Sequence, residues 1–334
     1  MKKTNIAVLG DGGWGTTLAI LLSRKGFSVS MWGAFSDYVE YLDKKRINSR
    51  FLPGVKIPGN IHITSRIKDA LNNKDLVILA APSQHTREVL SKLKKTGHSH
   101  NAIYLSVTKG IEIGTLKRIS EIVHHELGNV KLAVLSGPTI AQEVAKGVPT
   151  SAVIASRDIQ VRKLLQQIFM TDRFRIYTSD DVIGVELGGS LKNIIAIACG
   201  ISDGLGFGTN TKAAILARGL AEISRLGHKM GARVNSFSGL SGLGDLVTTC
   251  ISLQSRNRFV GESIGKGKTL KQVIAHMQMV AEGIPTTKSA VSLSKKYKIE
   301  MPITQQVYQV LYRNKSPLKA VNDLMTRKGK EEHL

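Results

Sequence analysis

The 334-residue sequence predicts an α/β domain with a doubly wound parallel sheet, residues 1–185, followed by an all-helical domain, residues 186–330. Three observations support this division. Short apolar runs alternate with helical patterns in the first half, as in parallel α/β sheets. The strand pattern ends near residue 185, and long helical patterns fill the remainder. A chain of this length can form two domains, each with its own hydrophobic core.

Six short apolar runs have the pattern of buried strands, at residues 6–9, 27–32, 76–80, 103–106, 132–135 and 152–155. Helical patterns separate them at residues 16–25, 87–93, 116–127 and 139–145, and a loop is predicted at residues 46–60. Further helices are predicted at residues 187–202, 211–226, 269–277, 285–296 and 304–312. Ligands of doubly wound sheets bind beyond the carboxyl ends of the strands. Residues 81–83, 108–110 and 137–139 are therefore expected to line a site.

The first predicted strand leads directly into a glycine-rich segment that opens a helix: Gly10, Asp11, Gly12, Gly13, Trp14, Gly15. This is the pattern GxGxxG. The first glycine allows a tight turn, the second lets the backbone approach a pyrophosphate, and the third allows the helix to pack closely on the strand. Between a strand and a helix the motif predicts a dinucleotide site of the Rossmann type. A glycine-rich turn without a ligand is the alternative.

The end of the second predicted strand bears on the choice between NAD and NADP. An acidic residue commonly stands there in NAD enzymes, where it reads the ribose 2′-hydroxyl. Here Ala34 lies near the strand end and the first carboxylate is Asp37, with Lys44, Lys45 and Arg46 downstream. The sequence therefore predicts that NADP(H) is tolerated beside NAD(H), unless Asp37 swings back.

The helix predicted at residues 187–202 is apolar and carries one cation, Lys192, beside the amide of Asn193. Burying an ammonium group is costly without a partner, and desolvation lowers its pKa toward the range useful for proton transfer. Lys192 is therefore the first candidate for catalysis. The alternative is that Lys192 lies on the solvent-exposed face of the helix and has no role.

Lys109 and Asp245 are further candidates. Lys109 follows a predicted strand and is expected to face the dinucleotide crevice, unless it is a solvated loop lysine. Asp245 follows a glycine turn, where its carboxylate can orient an ammonium group or cap a helix.

Ser255, Arg256 and Asn257 form a polar segment in the second half. A guanidinium and an amide suit phosphate oxygens, so this segment is a candidate phosphate site. An ordinary surface arginine is the alternative.

The composition excludes several classes of protein. The formal net charge is +22, but basic residues are dispersed and only 5% of residues are aromatic, so no specific nucleic-acid partner is expected. A basic surface that attracts anionic substrates is the preferred interpretation. The two cysteines, Cys199 and Cys250, show no metal-ligand or disulfide spacing, and no metal site is expected. Neither a signal peptide nor a membrane span is expected, and the predicted location is the cytoplasm.

Eight segments together resemble the soluble bacterial NAD(P)-dependent glycerol-3-phosphate dehydrogenases. They are GDGGWGTTLA at 10–19, TKG at 108–110, SGPTIAQE at 136–143, LGGSLKNIIA at 187–196, GLGDLVTTC at 242–250, QSRNRFVG at 254–261, VAEG at 280–283 and MPIT at 301–304. The resemblance extends over nearly the whole chain. It implies an N-terminal Rossmann domain, an all-α C-terminal domain of the 6-phosphogluconate dehydrogenase type, and a homodimer.

The resemblance also implies an activity: reversible reduction of dihydroxyacetone phosphate to sn-glycerol 3-phosphate with NADPH or NADH, supplying phospholipid synthesis. Lys192 is then the proton donor and acceptor, and Lys109 and Asp245 complete the catalytic centre. Implied substrate contacts are Lys109, Gly137, Thr139, Lys192, Asn193, Asp245, Thr249, Ser255, Arg256 and Asn257. Implied cofactor contacts are Gly10, Gly12, Gly13, Trp14, Gly15, Ala34, Lys109, Ala141, Arg256, Val280 and Glu282.

Two positions depart from the family pattern. Asp11 replaces a small residue, which places a carboxylate near the pyrophosphate unless it points away. Ala34 stands where relatives often have a polar or basic residue. Two other functions remain open: a dehydrogenase of the same plan acting on another phosphorylated or carboxylated hydroxy compound such as 6-phosphogluconate, and a dinucleotide-sensing or nucleic-acid-binding protein.

Overall fold

The computed structural model describes residues 4–97, 99–329 and 331–332. Its first half contains one eight-stranded sheet. The strands are β1 (Asn5–Leu9), β2 (Ser28–Trp32), β3 (His62–Thr64), β4 (Leu76–Leu79), β5 (Ile103–Ser106), β6 (Lys131–Ser136), β7 (Thr150–Ala155) and β8 (Phe174–Ser179). The helices around it are α1 (Gly13–Arg24), α2 (Ser36–Lys45), α3 (Ile67–Leu71), α4 (Thr86–Lys95), α5 (Ile119–Leu127), α6 (Ala141–Ala145) and α7 (Ile159–Phe169).

The strand order is β3-β2-β1-β4-β5-β6-β7-β8, which reverses direction at β1. All pairings among the described strands are parallel except β6 with β7, which is antiparallel. This is a doubly wound sheet dominated by parallel pairs, and the predicted α/β class is confirmed. Two strands were not predicted. β3 has only three residues, and β8 alternates buried and exposed side chains, so neither forms a continuous apolar run.

The turn between β1 and α1 is tight enough to require glycine. Gly10 has φ of +132°, and a Cβ there would lie 2.7 Å from the Ala80 carbonyl. A Cβ on Gly15 would lie 2.0 Å from the carbonyl oxygen of Gly10. Helix α1 begins at Gly13, so the first turn of the helix lies inside the motif. The glycine pattern therefore sets both the turn and the contact of the helix with β1.

The second half is helical. Its helices are α8 (Val182–Gly204), α9 (Thr209–Lys229), α10 (Asp245–Ile251), α11 (Arg256–Gly265), α12 (Leu270–Ala275), α13 (Gly283–Tyr297), α14 (Pro302–Tyr312) and α15 (Pro317–Met325). Five of them match predicted helices, whereas α10, α11 and α15 were not predicted. The predicted domain boundary at residue 185 falls inside α8, which begins at Val182.

Helix α8 is the core of this half and is buried continuously from Gly184 to Ser202. Helix α11 crosses it at backbone contact. A Cβ on Gly200 would lie 2.0 Å from the Arg258 carbonyl oxygen, and one on Gly261 would lie 2.0 Å from that of Ile197. By length and hydropathy α8 could also cross a membrane, but 89% of its most apolar window is buried inside the protein.

Candidate active site

The candidate site lies where the carboxyl ends of β5 and β6 meet α8 and α10. Lys109 follows β5, and Gly137 and Thr139 follow β6, so parallel strand direction brings them to one edge. Helix α8 contributes Lys192 from the opposite side. Asp245 is the first residue of α10 and directly follows a π-helical turn, Leu240–Gly244. Five side chains or carbonyls from four separate segments therefore converge.

Asp245 lies between two ammonium groups. Its Oδ2 accepts a hydrogen bond from Lys109 Nζ at 2.8 Å, and its Oδ1 accepts one from Lys192 Nζ. The Asp245 side chain is 2% exposed and that of Lys192 is 6% exposed. The alternatives of a helix-capping aspartate and a solvated Lys192 are therefore wrong. A buried carboxylate between two cations is the pairing that makes such burial tolerable.

Burial lowers the pKa of Lys192 to about 8, because desolvation disfavours the charged form. Asp245 opposes this shift by attracting the ammonium charge, and Lys109 reinforces it by repulsion. A lysine with a pKa near neutrality can both give and take a proton at physiological pH. This is the electrostatic property expected of a general acid and base.

The two lysines differ in how many of their protons are engaged. Lys109 Nζ donates to Asp245, to the carbonyl oxygen of Gly137 at 2.9 Å and to Thr139 Oγ1 at 3.1 Å. An ammonium group has three N–H donors, so Lys109 is fully used. Lys192 Nζ donates to Asp245 and to Thr249 Oγ1 at 2.5 Å, and its third N–H has no acceptor in the described part of the chain. Lys192 therefore has a proton available for a ligand.

A chain of amides continues from α8 to the start of α13. Asn257 Nδ2 donates to Asn193 Oδ1 at 2.9 Å, and Asn257 Oδ1 accepts from the backbone N–H of Gly283 at 2.9 Å. Both amides are buried. Ser255, next to them, caps α11 by accepting from the Arg258 N–H at 3.2 Å. This network fixes the predicted phosphate segment relative to Lys192.

Arg256 and Glu282 lie at the same edge. The Arg256 guanidinium donates to the carbonyl oxygen of Val280 at 2.7 Å. Glu282 accepts from the backbone N–H of Ser83 at 2.8 Å and from the Ser83 hydroxyl. Burial raises the pKa of Glu282, and the Ser83 hydrogen bonds and Arg256 oppose this shift. These contacts join the loop after β4 to the second half of the chain.

The glycine-rich turn offers an open backbone surface. A Cβ on Gly12 would meet no atom of the described residues within 4 Å, whereas one on Gly13 would lie 2.5 Å from the Phe51 carbonyl oxygen. Ala141 packs beside Gly13, and its carbonyl accepts from Thr17 Oγ1 at 3.1 Å. The backbone is therefore open at Gly12, immediately before α1 begins. This surface fits the pyrophosphate of a dinucleotide.

The remaining cofactor candidates lie on either side of this turn. The Trp14 ring contacts Phe174 edge to face, with centroids 6.4 Å apart, and its Nε1 is buried without a partner among the described residues. Ala34 is exposed just after β2. No hydrogen bond of the described chain connects either of them to Lys192, so their part in the site stays a prediction.

Asp11 corrects one expectation. The sequence predicts no acid at the end of β2, but the Asp11 carboxylate lies there: a Cβ on Gly33 would be 2.5 Å from Asp11 Oδ2. Asp11 points away from the open face of Gly12 and toward the β2 end. Asp37, the acid considered from the sequence, is exposed in the first turn of α2. Asp11 precedes α1 by two residues, and sequence spacing alone cannot place its side chain against the end of another strand.

The sequence analysis placed Ser83 at the edge of the site without a specific role, and it gave Ser136 no role. Ser136 Oγ donates to Asp245 Oδ2 at 3.4 Å, and Ser83 holds Glu282. Both lie at or after the end of a strand, and this position is the signal that placed Ser83 at the site. Among the described residues, no group of three or more His, Cys, Asp or Glu side chains is arranged to hold a metal ion.

Two family models match the chain. The N-terminal model of NAD-dependent glycerol-3-phosphate dehydrogenase matches residues 5–162, and the C-terminal model matches residues 181–322. A relative from Prosthecochloris aestuarii named glycerol-3-phosphate dehydrogenase, NAD(P)+, is 49% identical over 98% of this chain and 99% of its own length. The chain belongs to the NAD-dependent glycerol-3-phosphate dehydrogenase family. The predicted resemblance is thereby confirmed.

Solved structures of glycerol-3-phosphate dehydrogenases agree with this assignment. The Coxiella burnetii protein is 40% identical, with a TM-score of 0.94 over 97% of this chain and 99% of that one. The Saccharomyces cerevisiae protein is 28% identical, with a TM-score of 0.83 over 98% of this chain and 100% of that one. The Rossmann sheet followed by helices is therefore the fold of the glycerol-3-phosphate dehydrogenase family.

Proposed function

We propose that this protein catalyses the reversible reduction of dihydroxyacetone phosphate to sn-glycerol 3-phosphate with NADH or NADPH and supplies glycerophospholipid synthesis. The observation that carries the proposal is the buried Lys192, whose third N–H has no acceptor in the described chain. Membership of the glycerol-3-phosphate dehydrogenase family supports the choice of substrate. When bound, the nicotinamide supplies or accepts the hydride.

Lys192 is the proposed acid and base. During reduction it donates a proton to the substrate oxygen, and during oxidation it takes that proton back. Lys109 and Asp245 hold the Lys192 amine in place. Two cations close to one carbonyl oxygen also stabilise the negative charge that develops on it. General acid–base catalysis of this kind contributes about 10²–10⁴-fold in rate.

The substrate phosphate is proposed to bind at Arg256 and Asn257, with Ser255 shaping the turn. A guanidinium has five N–H donors, and within the described chain Arg256 uses one of them, in its hydrogen bond to the Val280 carbonyl oxygen. The other donors can bind phosphate oxygens. Gly137, Thr139, Asn193 and Thr249 are the further proposed substrate contacts. They surround Lys109 and Lys192.

Residues 1–185 are proposed as the dinucleotide-binding domain and residues 186–330 as the catalytic domain. Residue 330 lies outside the described residues. The open backbone at Gly12 and the tight turns at Gly10 and Gly15 support a pyrophosphate there. The other proposed cofactor contacts are Gly13, Trp14, Ala34, Lys109, Ala141, Arg256, Val280 and Glu282.

The test measures loss of NADH or NADPH absorbance with dihydroxyacetone phosphate and with unphosphorylated dihydroxyacetone. Arg256→Ala should raise KM for the phosphorylated ketone about 10–100-fold, since a hydrogen bond to a charged group contributes about 1.5–3 kcal/mol. The already poor rate with dihydroxyacetone should hardly change. Equal losses on both ketones would contradict the phosphate site.

Two controls separate the other functions. Turnover of 6-phosphogluconate in the absence of turnover of dihydroxyacetone phosphate would identify a different dehydrogenase of the same plan. Salt-sensitive retention on DNA without turnover would identify a nucleic-acid-binding protein.

The assembly and the location are further proposals. The family resemblance supports a homodimer in the cytoplasm. Exposed apolar side chains at the end of α10, in the connecting loop and in α11 offer surface that a second copy could cover: Ile251, Leu253 and Phe259. Sedimentation equilibrium of the purified protein should give about twice the chain mass of 36.3 kDa. A monomer at micromolar concentration would contradict the proposed dimer.

A further inference from the structure

The carboxylate of Asp11 occupies the place at the end of β2 where Rossmann proteins commonly read the adenosine ribose. It arrives from the glycine-rich turn rather than from β2 itself. Gly33 permits this, because a Cβ there would lie 2.5 Å from Asp11 Oδ2 and 2.6 Å from Val39 Cγ2. Gly33 therefore leaves a space at the end of β2, and the side chain of Asp11 fills that space.

The backbone of Asp11 is held by a buried polar network. Its carbonyl oxygen accepts from Asn48 Nδ2 at 2.8 Å and from Thr16 Oγ1 at 3.2 Å. Asn48 is fully buried, and its Oδ1 accepts from the Tyr38 hydroxyl at 2.7 Å. The position of Asp11 is therefore set by α1, by α2 and by the loop at residues 46–60.

One oxygen of this carboxylate is unsatisfied. Asp11 Oδ2 is buried against Gly33 and has no hydrogen-bond partner in the described ranges of the chain, whereas the residue as a whole is partly exposed. A buried polar atom without a partner is unusual in a native protein, and a donor that reaches the open side of this carboxylate would offset its cost. Burial raises the pKa of Asp11, and Arg50 opposes that shift by its charge. A neighbouring hydroxyl donor would complete the site and favour the charged carboxylate.

We propose that Asp11 selects NADH over NADPH by accepting a hydrogen bond from the adenosine ribose and excluding a 2′-phosphate. The inference rests on the proposed function, since it concerns the same cofactor site. A carboxylate accepts from a ribose hydroxyl but repels a phosphate dianion at the same position. Without an acid at the β2 end the sequence predicts that NADP(H) is tolerated beside NAD(H), and Asp11 supplies such an acid.

Arg50 is the group that opposes this selection. Its guanidinium stacks on the Tyr38 ring, 4.7 Å from the ring centroid, and the residue is exposed. A free arginine near the ribose attracts a 2′-phosphate. Asp11 lies against the β2 backbone, whereas Arg50 lies on the solvent side of Tyr38. The buried group is therefore assigned the larger effect, because solvent screens the exposed charge.

The experiment measures dissociation constants of NADH and NADPH by nucleotide fluorescence, without substrate, for the wild-type chain and for Asp11→Asn. The wild-type protein should bind NADH at least tenfold more tightly than NADPH. Asp11→Asn keeps the shape and removes the charge, so the ratio of the two constants should fall at least tenfold. Asp37→Asn is the matched control, because it removes the exposed acid near the same strand end; its ratio should equal that of the wild type.

Using the ratio makes the test independent of general damage to the glycine-rich turn, which would weaken both nucleotides together. A wild-type protein that binds NADPH as tightly as NADH overturns the inference, and so does an Asp11→Asn ratio equal to the wild-type ratio. Failure of the proposed function is seen separately, as absence of turnover with dihydroxyacetone phosphate while the nucleotide preference persists.

Discussion

Two buried carboxylates, Glu186 and Asp245, join the sheet half of the molecule to α8. They differ in whether their cationic partners keep an N–H donor that is free to bind a ligand. Glu186 accepts from the Ser120 N–H at 2.8 Å, from the Ser120 hydroxyl at 2.5 Å and from the Arg118 guanidinium. Asp245 accepts from Lys109 and from Lys192. Both carboxylates are almost completely buried. Both therefore need their cations if the charges are to be tolerated.

The difference lies in the donors. The partners of Glu186 come from the N-terminal turn of α5, where Arg118, Ser120 and Glu121 close a capping arrangement. The cluster holds two elements together. In the Asp245 cluster, Lys192 keeps an N–H without an acceptor among the residues described, at the edge where the strands end. A buried ion pair with every donor engaged positions the chain, and one with a free donor at a crevice is suited to chemistry.

Removing the free donor should have the largest effect. Lys192→Met keeps the length of the side chain but removes the proton, so kcat for reduction should fall about 10²–10⁴-fold. Asp245 remains paired with Lys109. The thermal midpoint should therefore stay within a few degrees of the wild-type value, because Asp245 keeps the Lys109 cation and is not left as an uncompensated buried charge. A loss of kcat below tenfold in a folded variant would contradict the catalytic role.

The pH dependence should sharpen the assignment. Reduction needs charged Lys192, so its rate should fall as pH rises through about 8, and oxidation should rise through the same range. Asp245→Asn removes the attraction that raises the pKa of Lys192, so the inflection should move to lower pH. Lys109→Met removes a repulsion, so the inflection should move to higher pH. Initial rates across pH 6–10 would locate the inflection in each variant. Inflections that move in the same direction in both variants would contradict the assignment of Lys192.

The Glu186 cluster should behave in the opposite way. Glu186→Gln leaves Glu121, at 3.3 Å, as the charged partner of Arg118. The free energy of unfolding should therefore decrease by about 3 kcal/mol, since removing one partner of a buried ion pair costs about 3–5 kcal/mol and Arg118 keeps one acid. The measurement is chemical denaturation. The kcat of the folded fraction should stay within about threefold of the wild-type value. A hundredfold loss of kcat with unchanged stability would remove the distinction between the two clusters.

The sheet could be predicted because each central strand is a continuous apolar run between turns. The Rossmann motif was recognisable because glycine is required where the backbone of Gly10 approaches Ala80. β8 could not be predicted in this way, since Arg175 and Tyr177 are exposed on one face and break the apolar run. Helices α10 and α11 begin directly after a π-helical turn and at the Ser255 cap, and from the sequence these segments are interpreted as a glycine turn and a polar loop.

The site was predictable where a residue type is rare in its surroundings. Lys192 stands alone in an apolar helix, and that contrast identified it. Asp245 depended on family resemblance, because its local pattern equally suits a helix cap. The sequence left the direction of the Asp11 side chain open, because it depends on Gly33, a residue that follows another strand. Contacts between segments distant in sequence leave no local pattern.

A third buried carboxylate, Glu222 on α9, extends the comparison because its partners are neutral. It accepts from the N–H groups of Ile303 and Thr304, at 2.6 and 3.1 Å, and from the Thr304 hydroxyl at 3.0 Å. These bonds hold the first turn of α14. Burial raises the pKa of Glu222 to about 7, although the hydrogen bonds and Arg225 oppose the shift. Without a paired cation, the charged form is the one that burial penalises.

Glu222→Gln should therefore have the smallest effect and a pH-dependent one. Because the folded pKa lies above the unfolded value, the native state binds the extra proton, and stability is lost as pH rises from about 4.5 through about 7. The variant cannot ionise, so its free energy of unfolding relative to wild type should rise by about 1–3 kcal/mol between pH 5 and pH 8. Denaturation curves at both pH values would measure it. A constant difference would mean that Glu222 stays charged and that its hydrogen bonds outweigh its burial.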